Sequence, residues 1–426
     1  MAIFESRSPI TKTIGLLSIF RDRILLSAVM LGFAIRALYA AWVPVKPMSD
    51  PLSYDSLAIN LARYGTYELM PNHPASVWPP GTSFLCSLLY RVFGHVYWPI
   101  ACLNVLLGTL VVVLACWLAL GWFGQRVARV TAVTLAIWPS LILYTTVIAS
   151  ELPFMVLTLL ALTLYASRPE RLWVWLAMGL TLGLACYVRT EALLLGVVIA
   201  FGRPPECSLR NRVAAATVIL CTVSLAVAPW CLRNTRIYGA PTFMTTTAGA
   251  NFWMGNNPGS RGGYMTTPPA EHRNSRDQDR YLSKLAMDYV LSHPGAFAVN
   301  TVVKAVRLHE RETEAYVWTE PGLAQRIGPI ALRLVKWIAQ LYWAAVLTAG
   351  VIGAVTLFRR GWRQMLTHPA VLFWAYITGL HAVTLSLQDR FHFPSNPFIA
   401  MFASVTILAV WDGWERRNRR HLASTQ

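Results

Sequence analysis

Charged residues are scarce in this sequence, and their scarcity excludes several classes of protein. Asp, Glu, Lys and Arg make up 13% of the 426 residues, whereas hydrophobic residues make up 55% and the mean hydropathy is +0.45. Because a soluble surface usually needs about a quarter charged residues, a soluble enzyme, a secreted disulfide domain and a disordered protein are excluded. Apolar stretches such as residues 98–122 and 370–387 are long enough to cross a bilayer.

Several chemical signatures are also missing. The seven cysteines form no Cys-x-x-Cys pair and lie mostly in apolar segments, which favours packing over a disulfide or metal role. No His-x-x-x-His motif or carboxylate cluster has the spacing of metal ligands, so neither a metal nor another cofactor is predicted. There is no internal repeat and no glycine-rich phosphate loop. No cleavage site follows the first hydrophobic segment, which is therefore interpreted as a retained helix.

The hydrophobic segments and the polar breaks between them predict the fold class, an all-α polytopic membrane protein with about ten transmembrane helices. The fifth and sixth segments are short and are separated only by residues 187–190, so one long broken helix, with nine crossings in total, is the alternative. The ten predicted segments are residues 24–44, 97–121, 127–146, 152–167, 172–187, 191–202, 213–231, 334–357, 368–387 and 396–412.

The distribution of basic residues predicts the orientation of these segments. With ten crossings, one side of the membrane receives both termini and four short loops, which together hold 18 Lys and Arg residues. The short segments on the other side hold only five. Because short basic loops stay in the cytoplasm, both termini are predicted to be cytoplasmic. Topology then explains most of the net charge of +17, and no nucleic-acid partner is predicted.

The predicted spans divide the chain into three regions. Residues 1–231 form an N-terminal transmembrane module that includes a first outer segment at 45–96, residues 232–333 form an extracytoplasmic loop region, and residues 334–426 form C-terminal helices with a basic cytoplasmic tail. Within the first outer segment, residues 54–62 and 84–93 have apolar patterns too short to span. They are interpreted as juxtamembrane helices lying on the membrane surface.

Ionisable residues lie at four outer ends of the predicted helices, where a charge is costly unless it lines a polar cavity. Asp50 follows the first helix, and Glu151 joins the third and fourth. Arg189 joins the fifth and sixth, and Arg390 joins the ninth and tenth. Arginine can bind phosphate through two hydrogen bonds, and a carboxylate can take a proton from an attacking hydroxyl or amine. This pattern predicts a site for a phosphate-bearing substrate, with Asp50 as the base.

Each of these residues also has a purely structural interpretation. Asp50 precedes Pro51, a pattern typical of a helix N-cap. Glu151 would favour the N-terminus of the fourth helix through the helix dipole, and an arginine at a helix end can extend to the lipid headgroups. His73 and His392 are interpreted as turn or interface residues.

Short motifs run in a fixed order along most of the chain. They begin with Ser49-Asp50 and Tyr54 and continue with Pro79-Pro80-Gly81. The later motifs are Ser150-Glu151, Tyr187-Val188-Arg189, Pro229-Trp230 with Arg233-Asn234, residues 249–258, His293-Pro294 with Lys304, and the segment from Arg390 to Pro394. In this order they resemble the GT-C membrane glycosyltransferases, in the bacterial branch similar to protein O-mannosyltransferases and aminoarabinose transferases, known as family 39.

The resemblance implies a function. Enzymes of this kind transfer a sugar, with inversion, from a polyprenyl-phosphate carrier to a lipid, glycan or protein acceptor. For a bacterial protein it implies undecaprenyl phosphate as carrier and an active site on the outer face of the inner membrane. It also implies Asp50 as base or acceptor anchor and Glu151 as the second catalytic acid. The implied substrate-binding residues are Tyr54, Asp55, His73, Arg189, Arg233, Asn256 and Arg390.

The sequence departs from the family pattern in places. Trp78 stands where relatives often have a basic residue before Pro-Pro-Gly, and His73 is the candidate replacement. The chain stops after the tenth predicted helix, so acceptor recognition is expected from the 232–333 loop or from a partner. The alternatives are a transporter or flippase of lipid-linked saccharides, a glycan ligase or polymerase using a diphosphate-linked donor, and a noncatalytic scaffold.

Overall fold

The computed structural model describes residues 19, 21–70, 73–167, 171–202, 207–260, 262–269, 274–384 and 388–424, with side chains as far as residue 419. Nearly all of this is helical, so the predicted all-α fold class is confirmed. The α-helices are α1 Arg23–Trp42, α2 Asp50–Tyr64, α3 Gly81–Phe93, α4 Trp98–Phe123, α5 Gln125–Ala136, α6 Pro139–Leu143, α7 Glu151–Ser167, α8 Leu172–Val188, α9 Leu195–Phe201, α10 Leu209–Tyr238, α11 Ala248–Gly255, α12 Ser275–Ser292, α13 Pro294–Arg307, α14 Glu314–Leu323, α15 Pro329–Leu366, α16 Pro369–Thr384 and α17 Asn396–Ser424.

Short elements join these helices. Single 3₁₀ turns cover Tyr144–Thr146, Thr190–Leu194, Asp389–Phe391 and Phe393–Ser395. Two short strands that the sequence did not predict, β1 Glu68–Met70 and β2 His73–Pro74, pair antiparallel between α2 and α3. The hairpin places the predicted site residue His73 on β2, where it is exposed.

All ten segments predicted to cross the membrane are helical in the residues described; residues 385–387 of the ninth lie outside them. In the part of the chain that the structure describes, five helical segments are long and apolar enough to span a bilayer, and a sixth is added if the bent pair α5 and α6 counts as one span. The other four are apolar but only 10–17 residues long. A polytopic membrane protein is therefore established, and the count of ten crossings stays a prediction.

Two of the long segments form the centre of the helix bundle. In Trp98–Phe123 and Asp389–Arg419, 67% and 72% of the most apolar window is buried inside the protein, against 28% in each of the other three. Close backbone packing surrounds the last helix, because a Cβ at Gly353 of α15 would lie 1.9 Å from the carbonyl oxygen of Phe402. Small residues at helix contacts permit such approach in membrane proteins.

The bend between α5 and α6 explains the arginine inside the first apolar segment. The two helices meet at 54°, and Pro139 has no N–H to donate to the carbonyl of Leu135. Arg36, fully buried in α1, fills this vacancy: its Nη2 donates to the Leu135 oxygen at 2.9 Å, and its Nη1 donates to the Ala136 oxygen at 3.1 Å. Gly108 of α4 makes room, since a Cβ there would lie 3.0 Å from Arg36 Nε.

The two predicted juxtamembrane stretches form α2 and α3. On α3 the side chains of Phe84, Leu88 and Val92 recur every four residues and are 52%, 42% and 74% exposed. An apolar stripe on an outer helix matches the interpretation that this helix lies at the membrane surface. The N-terminus of α2 lies close to the start of α7 and to the 3₁₀ turn before α17. The contacts between these segments form the candidate site.

Candidate active site

Four charged residues at the ends of separate helices meet in one ion-pair chain. Asp50 Oδ2 accepts a hydrogen bond from Arg390 Nη2 at 2.6 Å, and Arg390 Nη1 lies 3.9 Å from Glu151 Oε1. Arg189 Nη1 in turn donates to Glu151 Oε1 at 3.0 Å. These are the residues singled out at the four helix mouths, so the structure brings all of them together.

Asp50 is the first residue of α2 and not its N-cap. Ser49 holds the cap position, with a positive φ of 52°, and its side chain makes no capping hydrogen bond. A non-glycine residue in this region is uncommon and is often part of a functional site. The Asp50 carboxylate faces Arg390 instead of its own helix and keeps 26% of its side chain exposed. It is the most accessible carboxylate of the ion-pair chain.

Glu151 combines a structural and an electrostatic role. It begins α7, as its helix-start interpretation predicted, and its side chain is fully buried. Ser150 Oγ lies 3.4 Å from its second oxygen. A buried carboxylate is costly unless it is paired, and the two arginines provide that pairing. The Glu151 side chain is therefore less accessible to solvent than that of Asp50.

The two arginines do not extend to the headgroups, because they are only 7% and 11% exposed. Arg189 has an extended backbone between α8 and the following 3₁₀ turn, which aims its side chain at Glu151. Arg390 donates through Nε to Gln388 at 2.7 Å, and its guanidinium lies 4.8 Å from the ring centre of Trp318. Phe391 contributes a ring face to both guanidiniums, at 5.4 and 5.3 Å.

Arg189 and Arg390 differ in their hydrogen bonds. Arg189 uses Nε and Nη2 on Glu191, at 3.2 and 2.8 Å, and Nη1 on Glu151. Among the described residues, the nearest carboxylate to Arg390 Nη1 is Glu151 at 3.9 Å, beyond hydrogen-bond distance. Arg390 therefore keeps N–H donors for an incoming anion, whereas the guanidinium of Arg189 is already held on both edges.

A second pair of carboxylates lies beside this chain, and no role was predicted for it. Thr313 donates both its backbone N–H, at 2.6 Å, and its hydroxyl, at 2.8 Å, to Asp389 Oδ2. The next residue, Glu314, begins α14. Burial, together with the nearby charge of Asp389, raises the pKa of Glu314 to about 7. The spacing of residues 314 and 389 in sequence offered no sign of this pairing.

Two of the predicted substrate-binding residues on α2 have different surroundings. Tyr54 is buried beside the ion-pair chain, with its ring 6.3 Å from that of Trp78; burial raises its pKa to about 12, so the phenol stays neutral. Asp55 points away from the site. Its carboxylate accepts hydrogen bonds from Tyr90 and, at 3.0 Å, from Tyr97, and it pairs with His95, so it fastens α2 to α3 and α4.

Three further predicted residues lie outside the ion-pair chain. Arg233 donates to the backbone oxygens of Ala75 and Tyr67, at 2.7 and 3.3 Å, and thereby ties the hairpin to α10. Asn256 is buried and accepts a hydrogen bond from Lys304 at 3.2 Å. His73, exposed on β2, is not part of the chain either. The substrate-binding role that the family resemblance implies for these residues stays a prediction.

His392 is an internal interface residue, as the sequence interpretation had it. It is fully buried, stacks on Trp343 at 4.2 Å and pairs with Glu312 at 3.2 Å. Glu312 also accepts hydrogen bonds from Trp138 at 2.6 Å and Asn396 at 2.9 Å. Within the described residues, no group of three His, Cys, Asp or Glu side chains is arranged to hold a metal ion, and no step below involves one.

Comparison with known proteins agrees with this architecture. The family model described as dolichyl-phosphate-mannose-protein mannosyltransferase matches residues 73–232, fewer than half of the chain. No curated protein matches the chain at a significant level.

Solved structures of two kinds share the fold. One is the oligosaccharyltransferase of Archaeoglobus fulgidus in complex with zinc and sulfate, at 13% identity and a TM-score of 0.55, covering 94% of this chain and 51% of that one. Another, the same organism's AglB with an inhibitory peptide and a dolichol-phosphate, has 14% identity and a TM-score of 0.55, with coverages of 96% and 52%. The third is ArnT from Cupriavidus metallidurans bound to undecaprenyl phosphate, at 14% identity and a TM-score of 0.57, with coverages of 90% and 59%.

The likeness spans nearly all of this chain but only about half of each longer relative. The chain therefore has the GT-C fold, and the recognition of that superfamily from the sequence motifs is confirmed at the level of the fold.

Proposed function

We propose that this protein is an inverting glycosyltransferase that moves a sugar from a polyprenyl-phosphate donor to an envelope acceptor, which is a lipid, a glycan or a protein. One observation carries the proposal: an accessible carboxylate, Asp50, lies 2.6 Å from an arginine, Arg390, that retains free N–H donors. The first group suits a hydroxyl or amine to be deprotonated and the second suits a phosphate. The solved structures of AglB with a dolichol-phosphate and of ArnT with undecaprenyl phosphate support a lipid phosphate as the ligand.

The reaction requires few protein groups. The acceptor oxygen or nitrogen attacks the anomeric carbon, the carbon–oxygen bond to phosphate breaks with its electron pair going to the phosphate, and the acceptor proton passes to Asp50. Arg390 stabilises the charge that develops on the leaving phosphate, a form of preorganised electrostatic stabilisation that often contributes most to catalysis. Attack from the face opposite the leaving group inverts the anomeric carbon.

The ion pair between Asp50 and Arg390 links binding of the donor phosphate to the release of Asp50 as a base. While Arg390 donates to Asp50, that carboxylate oxygen is occupied by the arginine and is not directed at an acceptor. A phosphate that takes over the Arg390 N–H groups releases Asp50 toward the acceptor. Donor is then bound before acceptor, and the acceptor is deprotonated only once the leaving group is in place. The remaining predicted contacts, those of Tyr54, Asp55, His73, Arg233 and Asn256, act in this scheme by supporting the surrounding structure.

The location of the reaction follows from the charge distribution. The basic loops support cytoplasmic termini and an outer-facing site in a bacterial inner membrane. The carrier's prenyl chain then stays in the bilayer while its phosphate reaches Arg390 at the outer rim. The proposed partners are the lipid-linked donor, the acceptor and the bilayer itself.

Two other functions predict different products. A flippase of lipid-linked saccharides would move the donor across the membrane without consuming it, and a ligase or polymerase acting on a diphosphate-linked donor would release polyprenyl diphosphate. The spare hydrogen-bond donors favour the monophosphate reaction, because among the described residues Arg390 has more N–H groups without an acceptor than Arg189 has.

Reconstitution with a panel of short-chain polyprenyl-phosphate sugars tests the proposal. We expect one donor to be converted, in the presence of envelope extract, to free polyprenyl phosphate detected by mass spectrometry. Vesicles of opposite orientation should differ: an acceptor that cannot cross the bilayer is modified only where the outer face is accessible. Transport without release, release of diphosphate, or consumption of no donor in the panel would each contradict the proposal.

A further inference from the structure

The guanidinium of Arg189 makes more hydrogen bonds to carboxylates than that of Arg390. Glu191 contacts it through both carboxylate oxygens, with Oε1 2.8 Å from Nη2 and Oε2 3.3 Å from Nε, and Glu151 occupies Nη1. A two-pronged arginine–carboxylate pair is among the strongest hydrogen-bonded arrangements in proteins. All three side chains are at most 10% exposed, so water competes little for these bonds.

Two side chains of α16, a helix far from Glu191 in sequence, contact Glu191. His381 of α16 has its Nε2 3.4 Å from Glu191 Oε2, and Tyr376, on the same helix, donates its hydroxyl to the Glu191 backbone oxygen at 2.6 Å. The His381 imidazole lies almost parallel to the Phe391 ring, at 4.4 Å and 9°. Phe391, in the 3₁₀ turn before α17, lies against both guanidiniums. Arg189 is therefore contacted directly by Phe391 and, through Glu191, by His381 of α16.

We propose that Glu191 and His381 are positioning residues, which keep Arg189 on Glu151 and away from the donor phosphate so that Arg390 alone takes the phosphate. This inference rests on the proposed function. A phosphate oxygen that approached Arg189 would have to displace one of two buried carboxylates, whereas Arg390 needs to give up only Asp50, whose side chain is partly exposed. The division of roles keeps the leaving group beside the base, where the acceptor attacks.

The test is the substitution Glu191→Gln, which keeps the side-chain size and removes the charge. Arg189 is then freed on one edge and can add a charged hydrogen bond to the phosphate. We expect short-chain polyprenyl phosphate to bind at least about 10-fold more tightly, in line with one further charge-assisted bond. Turnover should fall about 10-fold or more, because the phosphate is drawn away from Arg390. Binding is measured by microscale thermophoresis and turnover with the reactive donor.

Two comparisons complete the design. Glu310→Gln, an exposed glutamate of the outer region, is the matched control and should change neither quantity. His381→Gln should change binding and turnover in the same directions as Glu191→Gln but less, and it provides a second variant if the first fails to fold. Restoring the charge with a shorter side chain, Glu191→Asp, should return binding most of the way to the wild-type value.

The outcomes separate the inference from the proposed function. If the wild-type protein binds no polyprenyl phosphate, the proposed function is contradicted. If it does bind, but Glu191→Gln weakens binding and turnover together or leaves both unchanged, the positioning role is contradicted. Opposite changes in binding and turnover support it, because loss of a merely structural contact would not strengthen phosphate binding.

Discussion

Among single residues, Glu314 differs from the other carboxylates at the outer end of the bundle because it is both partly buried and next to a second acid. Ionising it beside Asp389 would place two negative charges together where water is partly excluded. Its pKa is accordingly raised from 4.5 to about 7, with burial as the larger cause and Asp389 as the second. The group is outside the predicted spans, so its titration can be followed in the folded protein by changing the pH of the medium.

Glu314 should make the stability of the protein depend on pH. Between pH 4.5 and 7 the folded protein keeps a proton on this carboxyl that the unfolded chain has released. The free energy of unfolding should therefore fall as the pH rises through this window. Glu314→Gln removes this contribution, so its melting temperature in detergent should decline less between pH 5 and pH 7.5 than that of the wild type. Parallel slopes for the two proteins would contradict the assignment.

The sequence was most informative about charged residues near the membrane, because a charge there is costly unless it has a role. Asp50, Glu151, Arg189 and Arg390 could be selected because a charge at a helix end is costly in lipid and all four ends face one side. Their mutual contacts could not be predicted, since side-chain direction depends on how the helices pack. The sequence therefore did not show that Asp55 accepts a hydrogen bond from Tyr90, or that Arg233 donates to a backbone oxygen of Ala75.

At the scale of secondary-structure elements, the bend between α5 and α6 depends on an arginine from another helix. Replacing Arg36 with Met would leave the carbonyls of Leu135 and Ala136 without their donor. We expect Arg36→Met to lower the unfolding free energy by on the order of 2 kcal/mol or more, because each bond to a charged group contributes about 1.5–3 kcal/mol. Chemical denaturation in detergent micelles measures the change.

A second substitution identifies the cause of that loss. Pro139→Ala restores an N–H that can donate to the Leu135 carbonyl as in a continuous helix. The double variant Arg36→Met/Pro139→Ala should therefore be more stable than the sum of the single effects predicts. Strict additivity would show that Arg36 acts independently of the bend.

The elements themselves were predicted well because lipid demands that backbone groups be satisfied within each segment, which favours helices. Every predicted span is helical in the residues described, and α2 and α3 match the two surface stretches. The hairpin of β1 and β2 was missed because two or three residues give no period-two pattern to detect. The sequence indicated a break between two short apolar segments at Arg189, but it did not predict that the Arg189 backbone is extended.

In the whole molecule, charge divides the two ends of the bundle. Arg126 and Arg129 pair with Asp412, in the C-terminal half of α17, and with Asp22, the N-cap of α1, whereas the ion-pair chain lies beyond the opposite ends of these two helices. Arg7 and Lys12 of the basic N-terminus, and Arg168, Arg203 and Arg420 of the loops and tail, lie outside the residues or side chains described. Gathering the site residues at one end of the bundle is more typical of an enzyme with a single active site than of a transporter built from two repeated halves.

The central claim is that Asp50 deprotonates the acceptor while Arg390 binds the donor phosphate, and Asp50→Asn tests it most directly. Turnover of the lipid-linked donor should fall at least about 100-fold, as expected for loss of a general base. Binding of polyprenyl phosphate should persist or tighten, since Arg390 loses its competing carboxylate. Asp288→Asn, an exposed carboxylate on α12, is the matched control and should leave both unchanged. Near-normal turnover of Asp50→Asn would contradict the account.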